Sequence, residues 1–335
     1  MAAKISAKEA QMTEKPRIVV LDAFTMGQDV SWEIVASQGE LHLYDRTAPE
    51  QVAERAKGAQ VLFTNKTVLD RAAIEALPEL LCICVLATGY NVVDLAAAAE
   101  RGIPVCNVPG YSPPAVAQHV MAVVLEMFSH VSLHARAVQA GRWSAQPDFC
   151  FWDEPVVELA GKTFGVVGFG DIGSRVAMLA NAFGMNVLAY APRPKELPPY
   201  GPFAFAGLDE LFAESDVVSL HCPLTKDNEN MVGARLLSLM KPTARLVNTA
   251  RGQLVDEAAL AAALTAGKLG GAALDVVRQE PIRPDNPLLS APNCLITPHV
   301  AWASREARAR LLGIAARNLA AFLAGKPQNV VNGVD

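Results

Sequence analysis

The sequence predicts an α/β chain built on parallel sheets, and three observations carry that prediction. Short apolar runs alternate with helical patterns along most of the chain, an order that places helices on the faces of a parallel sheet. One apolar run ends in a glycine-spaced turn that opens at once into a helix. Four runs in the second half each deliver a polar or charged residue where the strand would stop, and in an open parallel sheet those ends line one crevice.

At 335 residues the chain is long enough for two domains with their own cores. Apolar residues make up 51% and charged residues 19%, which is the composition of a globular protein rather than a disordered one. The net charge of -5 is spread without long runs, so neither a nucleic-acid surface nor a polybasic membrane surface is expected. Met1 to Lys15 is polar, has no apolar h-region and reads as a loose tail rather than a signal peptide. The longest apolar run, Leu80 to Ala87, is too short to span a bilayer, and a cytoplasmic location is expected. Cysteines 82, 84, 106, 150, 222 and 294 form no Cys-x-x-Cys pair; they are expected to be buried thiols in a reducing compartment, with no metal site.

In chain order, Arg17–Leu21, Val61–Thr64, Leu81–Leu86 and Pro104–Cys106 read as strands, with helices over Pro49–Ala56, Arg71–Leu77 and Val93–Arg101 between them. After the third of these strands, Ala87-Thr88-Gly89-Tyr90-Asn91 breaks into a loop at the position where open sheets bind ligands. A glycine there allows backbone N–H groups to face an anion. Pro109 to Pro114 is a punctuated connection and marks a domain boundary; a long helix is expected from Ala115 to about Ala140. His119, His130 and His134 lie along it without a ligand pattern and are assigned no role. Asp148 to Leu159, with Phe149, Phe151 and Trp152, is an aromatic loop suited to a partner subunit or to covering the core.

Thr163–Val167 reads as a strand buried on both faces. Gly168, Gly170 and Gly173 follow at Gly-x-Gly-x-x-Gly spacing, with Asp171 and Ile172 between the last two. The first glycine permits the tight turn, the second lets the backbone approach a pyrophosphate, and the third lets helix and strand pack closely. The helix N-terminus then offers N–H groups and a positive dipole end to phosphates, which points to a dinucleotide. The next strand, Asn186–Tyr190, continues as Ala191-Pro192-Arg193-Pro194-Lys195. NAD-binding domains usually carry an acid there for the ribose 2′-OH. Here the acid is missing, and Arg193 suits a 2′-phosphate, so the reading leans to NADP(H) with NAD(H) as the alternative.

Val217–Leu220 ends in His221-Cys222-Pro223, Arg245–Asn248 in Thr249-Ala250-Arg251, Gly271–Leu274 in Asp275, and Cys294–Thr297 in Pro298-His299. Arg251, Glu280 and His299 are far apart in sequence, yet such a topology brings them to one edge. Ser304–Ala324 reads as a closing helix.

These strand ends give the chain its resemblance. From Arg17 onward it resembles the D-isomer-specific 2-hydroxyacid dehydrogenase family in Ala87-Thr88-Gly89-Tyr90-Asn91-Val92-Val93-Asp94, the glycine turn, Asn248-Thr249-Ala250-Arg251-Gly252, Leu274-Asp275-Val276 with Glu280-Pro281, and Thr297-Pro298-His299. Asn65-Lys66-Thr67, Asp148 to Trp152 and Ala301 to Arg308 are similar to its glycerate dehydrogenase (hydroxypyruvate reductase) branch. The resemblance implies two Rossmann-like domains, one flavodoxin-like and one NAD(P)-binding, with a cleft between them. It assigns residues 1–109 and 299–335 to the substrate domain and 110–298 to the cofactor domain.

It also implies roles. Arg251 would hold the substrate carboxylate or carbonyl through its planar, always charged fork. His299 would be the acid/base, and Glu280 would pair with it, fixing its tautomer and favouring the imidazolium. Thr88 and Gly89 would offer backbone donors to the carboxylate, with Lys66 also at the substrate. Asp275 would contact the nicotinamide end, and His221, Cys222, Pro223, Thr249 and Ala250 would line the cofactor with Arg251 and His299. Three departures stand out: Ala191 for an acid, Gln118 for a glutamate common in the family, and Val120 for a threonine near the cofactor.

The activity so implied is reversible reduction of a small 2-oxo acid, hydroxypyruvate or glyoxylate first, to the D-2-hydroxy acid by a homodimer. The alternatives are a different 2-oxo acid, or a dinucleotide-sensing interaction protein of the same fold, whose catalytic set need not be kept. Arg251, Glu280 and His299 are all present, which favours the enzyme. Formate dehydrogenases carry Gln where this chain has Glu280, which argues against formate. The length leaves no room for a phosphoglycerate dehydrogenase with a regulatory C-terminal domain.

Overall fold

The computed structural model describes residues 15–193 and 195–334, and the chain divides into two units at Ser112/Pro113 and at Trp302/Ala303. The tail expected over Met1–Lys15 lies outside the described residues except for Lys15, as does Pro194.

The first unit holds a five-stranded parallel sheet of β1 (Arg17–Val20), β2 (Glu40–Leu43), β3 (Val61–Thr64), β4 (Cys82–Val85) and β5 (Val105–Cys106), in the order β2-β1-β3-β4-β5. This is the flavodoxin-like order, with its switch point between β1 and β3. Strands β3 and β4 are buried along their whole length, which is why they read as unbroken apolar runs. The helices Arg71–Glu75 and Leu95–Glu100 start at Asp70 and Asp94, whose side chains accept from the N–H groups of Ala73 and Ala97. The helix Arg305–Leu323 starts in the same way at Ser304 and packs across β4.

The second unit is a seven-stranded parallel sheet: β6 (Thr163–Val167), β7 (Asn186–Tyr190), β8 (Phe203–Phe205), β9 (Val217–Leu220), β10 (Arg245–Asn248), β11 (Gly271–Leu274) and β12 (Cys294–Ile296). Their order, β12-β11-β10-β9-β6-β7-β8, is the doubly wound Rossmann arrangement, which reverses between β6 and β9. One face packs on the helices Pro113–Ser129 and Asp171–Ala182, the other on Leu208–Glu214, Ala234–Leu239 and Glu257–Thr265.

Three expectations need correction. The single helix over Ala115–Ala140 is two helices, Pro113–Ser129 and Val131–Gln139, bent by 59° where His130 takes a left-handed φ of 49°. Period-based reading does not register one such residue, because both halves keep helical spacing. The cysteines are not all buried: Cys150 is exposed in the aromatic loop, and Cys222 and Cys294 are half-buried at strand ends. His299 falls in the second unit, because the backbone from 299 to 301 is bonded to Asp275 at the end of β11. Among the described residues no single helix is long and apolar enough to cross a membrane.

Candidate functional site

At the switch point of the second unit, β6 runs into the glycine turn. Gly168 has a φ of 99°, which L side chains rarely adopt, and a Cβ there would lie 2.6 Å from the Cys222 nitrogen. A Cβ on Gly173 would lie 2.0 Å from the Gly168 carbonyl oxygen, so this glycine is demanded by the close helix–strand approach. Gly170 differs: its φ is -97° and a Cβ would meet nothing within 4 Å. It is the N-cap of the helix Asp171–Ala182, which carries Asp171 and Ile172 in its first turn and has no side-chain cap. The helices starting after Asp70, Asp94, Asp256 and Ser304 are all capped by their own side chains. This one keeps its first amides open to an anion.

Beside it, His221 ends β9 with its Nε2 2.9 Å from Ser219 Oγ. The residue is half-buried by its surface, yet protein atoms crowd the imidazole enough for burial to push its pKa down to about 3. It is therefore neutral at physiological pH. Cys222 and Pro223 follow, with the Cys222 thiol pushed up by burial. After β10, the fully buried Asn248 shapes the next turn: its Oδ1 accepts from Ala250 N at 3.0 Å and its Nδ2 donates to the Arg251 carbonyl at 2.8 Å. Thr249 Oγ1 is buried without a hydrogen-bond partner among the described residues. Arg251 is exposed; its Nη1 donates to the Ala250 carbonyl, and no carboxylate pairs with it among the described residues. A Cβ on Gly252 would lie 1.9 Å from the Val277 carbonyl carbon, so the Arg251 turn sits directly on the loop after β11.

That loop carries Glu280. Its Oε1 accepts from Val277 N at 3.3 Å, and its Oε2 lies 2.7 Å from His299 Nδ1. The carboxylate places a proton on Nδ1 and leaves Nε2 without a partner among the described residues. His299 itself adopts a left-handed φ of 54°, a conformation that costs energy for a residue with a side chain. Asp275 holds it there. This carboxylate is 3% exposed and accepts from Thr297 Oγ1 at 2.6 Å, Val300 N at 2.9 Å and Ala301 N at 2.8 Å, while its carbonyl accepts from His299 N at 2.8 Å. The side chain expected to face a nicotinamide thus fastens the His299 turn. His119 joins this group, its Nε2 3.2 Å from Thr297 Oγ1. Arg193 is exposed and unpaired among the described residues, and Val120 is wholly buried in the core.

In the first unit the loops after β3 and β4 are held by residues from the strands on either side. Asp22, at the end of β1 and 6% exposed, accepts from the N–H groups of Asn65, Lys66 and Thr67 at 2.7–3.0 Å. Lys66 is exposed on that loop and forms no ion pair among the described residues. Asn107, just after β5, donates from Nδ2 to the Thr88 carbonyl at 2.8 Å, and Thr88 Oγ1 donates to the Val108 carbonyl at 2.9 Å. Asp22, Asn107 and His119 are the positions that sequence reasoning passed over. Asp22 and Asn107 carry the same signal as the others, a polar residue directly after an apolar strand.

An uncapped helix start at a doubly wound switch point, with a paired His–Glu at the same sheet edge, defines a dinucleotide-dependent oxidoreductase. Comparison with known proteins is more specific. Residues 121–301 match the model of the D-isomer specific 2-hydroxyacid dehydrogenase, NAD binding domain. The chain is 44% identical to a hydroxypyruvate reductase of Blautia hydrogenotrophica, over 94% of this chain and 99% of that one. It is 43% identical to a glycerate dehydrogenase of Methylorubrum extorquens, over 86% and 90% of the two chains. The NADPH-dependent glyoxylate/hydroxypyruvate reductase from Sinorhizobium meliloti, solved in complex with NADP and malonate, superposes with a TM-score of 0.80 at 29% identity, covering 95% of this chain and 97% of that one. The chain belongs to the D-isomer-specific 2-hydroxyacid dehydrogenase family, and it is an NAD(P)-dependent oxidoreductase of small 2-hydroxy acids.

Proposed function

We propose that the chain reduces hydroxypyruvate, and glyoxylate less selectively, to the D-2-hydroxy acid, in the glycerate dehydrogenase branch of its family. The observation that carries the chemistry is the 2.7 Å contact between Glu280 and His299 Nδ1, with Nε2 unpartnered among the described residues. The substrate follows from the 44% identity to a hydroxypyruvate reductase over nearly the whole of both chains.

The residues present fit a dinucleotide. Gly168, Gly170 and Gly173 with the amides of Asp171 and Ile172 would hold the pyrophosphate. His221, Cys222, Pro223, Thr249 and Ala250 would border it, and the orphaned Thr249 hydroxyl is a donor in want of a partner. When bound, the nicotinamide supplies the hydride. In the direction of reduction, His299 donates a proton from Nε2 to the 2-oxo oxygen, and Glu280 accepts the Nδ1 hydrogen and balances the imidazolium charge. Arg251, which pairs with no carboxylate among the described residues, binds the substrate carboxylate or carbonyl. In the first unit, the amides of Thr88 and Gly89 and the ammonium of Lys66 are suited to a substrate carboxylate. Asp275 acts by holding the His299 turn, with a nicotinamide contact as its second task. On this reading the first unit binds substrate and the second binds cofactor.

Arg193 and the absence of an acid at Ala191 favour NADP(H) over NAD(H). A homodimer is supported by Trp143, Phe149, Trp152 and Val156, four large apolar side chains left exposed along one short stretch. A cytoplasmic location accords with the cysteines, all of them free thiols.

The test is loss of nicotinamide absorbance with hydroxypyruvate, glyoxylate and pyruvate, each run with NADPH and NADH. Hydroxypyruvate with NADPH is expected to give the highest kcat/KM, and Ala191→Asp to move preference toward NADH. A chain that binds dinucleotide but turns over none of the three acids is not a reductase of this branch.

A further inference from the structure

We propose that a closed ring of three asparagines, Asn107, Asn318 and Asn329, sets the direction of the Thr88–Gly89 amides and so positions the substrate carboxylate from the far end of the chain. The proposal rests on the reading of Thr88 and Gly89 given above.

Asn107 is gripped on both sides. Its N–H donates to the Asn329 carbonyl at 3.0 Å, and its carbonyl accepts from Asn318 Nδ2 at 2.8 Å. Asn329 Nδ2 donates to Asn318 Oδ1 at 2.8 Å, which closes the ring. Asn318 is 1% exposed on the helix Arg305–Leu323. An amide buried that deeply is destabilising unless both its ends are bonded, and here they are. The bonds also fix which end is which: only the amide nitrogen can give to the Asn107 carbonyl, and only the amide oxygen can take from Asn329.

The consequence passes to the neighbouring strand. With its backbone held, Asn107 donates from Nδ2 to the Thr88 carbonyl at 2.8 Å, and Val108 N donates to the Ala87 carbonyl at 2.9 Å. A trans peptide points its N–H opposite to its C=O. Fastening the Ala87 and Thr88 carbonyls to the exit of β5 therefore turns the Thr88 and Gly89 amides away from it. Neither amide has an acceptor among the described residues. Thr88 Oγ1, which could otherwise swing round to compete for the anion, is committed to the Val108 carbonyl. The loop is polarised: carbonyls against the protein, donors outward. These asparagines touch no substrate, so they are positioning residues.

Two isosteric variants remove donors while keeping shape. Asn107→Asp sets a carboxylate against the Thr88 carbonyl, and Asn318→Asp sets one against the Asn107 carbonyl while still accepting from Asn329. Each is expected to raise KM for the faster of hydroxypyruvate and glyoxylate about tenfold, with kcat within about threefold and the NADPH Kd unchanged, since a loosened binding group misplaces the substrate. Asn329→Gly keeps the left-handed φ of 54° accessible and removes one side of the ring from an exposed position; it is expected to raise KM about threefold. It decides the matter if the buried variants fail to fold. Gly89→Pro, which deletes a presented amide and leaves the ring intact, separates the two readings. If it raises KM while the asparagine variants change only the melting temperature, the ring is mere packing and the proposal is wrong. If all four variants leave KM unchanged, the amides do not bind the carboxylate, and the proposal falls with that reading.

Discussion

His299 is the proposed acid/base, and its environment suits a histidine to that role. A left-handed backbone, three protein donors on Asp275 and a carboxylate on Nδ1 leave Nε2 as the ring nitrogen without a partner among the described residues. His299→Asn keeps a residue type tolerant of that backbone while deleting the proposed acid/base, and kcat is expected to fall on the order of a thousandfold. Dinucleotide binding, followed by fluorescence titration, is expected to persist; undiminished kcat would remove His299 from the mechanism. His221 shows the opposite use of the same side chain. In the folded chain it takes up its second proton only near pH 3, against 6.5 for an unburied histidine. Between those values the unfolded chain binds the extra proton, so the contribution of neutral His221 is fully present above pH 6.5 and is lost as pH falls through the window. The limiting slope is about 1.4 kcal/mol per pH unit. Urea unfolding between pH 4 and 7 should show this slope in the wild type and a shallower one in His221→Gln; equal slopes would mean the ring is not desolvated.

At the scale of the element, the glycine turn separates two duties that the spacing alone merges. Gly173 is needed by the protein, because a Cβ there would sit 2.0 Å from a carbonyl oxygen. Gly170 is not, since a Cβ there would project into open space from an ordinary φ of -97°. Gly173→Ala should therefore lower the melting temperature of the cofactor-free protein by several degrees, as expected when overpacking costs about 1–3 kcal/mol. Gly170→Ala should leave that temperature within about a degree and weaken dinucleotide binding tenfold or more. A Gly170→Ala protein with unchanged dinucleotide affinity would show that no phosphate approaches this backbone.

For the whole molecule, the aromatic segment is the feature a lone chain does not explain. Phe149 is 87% exposed and Trp152 67% exposed, while Trp143 and Val156 lie near them in sequence and are also exposed. Apolar side chains of this size left in water mark an interface, and a symmetric pair is the commonest way to cover one. Sedimentation equilibrium is expected to give twice the chain mass for the wild type and half that value for Phe149→Ser combined with Trp152→Ser. A wild-type monomer at micromolar concentration would end the dimer proposal.

The parallel sheets, the glycine turn and the polar residues at the ends of β9 to β12 are all legible in the chain itself. Buried parallel strands must be continuously apolar, so the residue that interrupts such a run marks a strand end, and strand ends are where such sheets bind ligands. The edge strands Glu40–Leu43 and Phe203–Phe205 escape that logic, being half-exposed and free of the all-apolar pattern. Asp275 is readable as a polar residue at a strand end, but its partners, Thr297 and the amides of Val300 and Ala301, lie more than twenty positions away. Asp22, Asn107 and Asn318 are likewise given their meaning by backbone groups that folding brings from elsewhere in the sequence. Periodicity is a local property and is written along the chain; the partner of a buried polar group is a property of packing, and tertiary structure alone decides it.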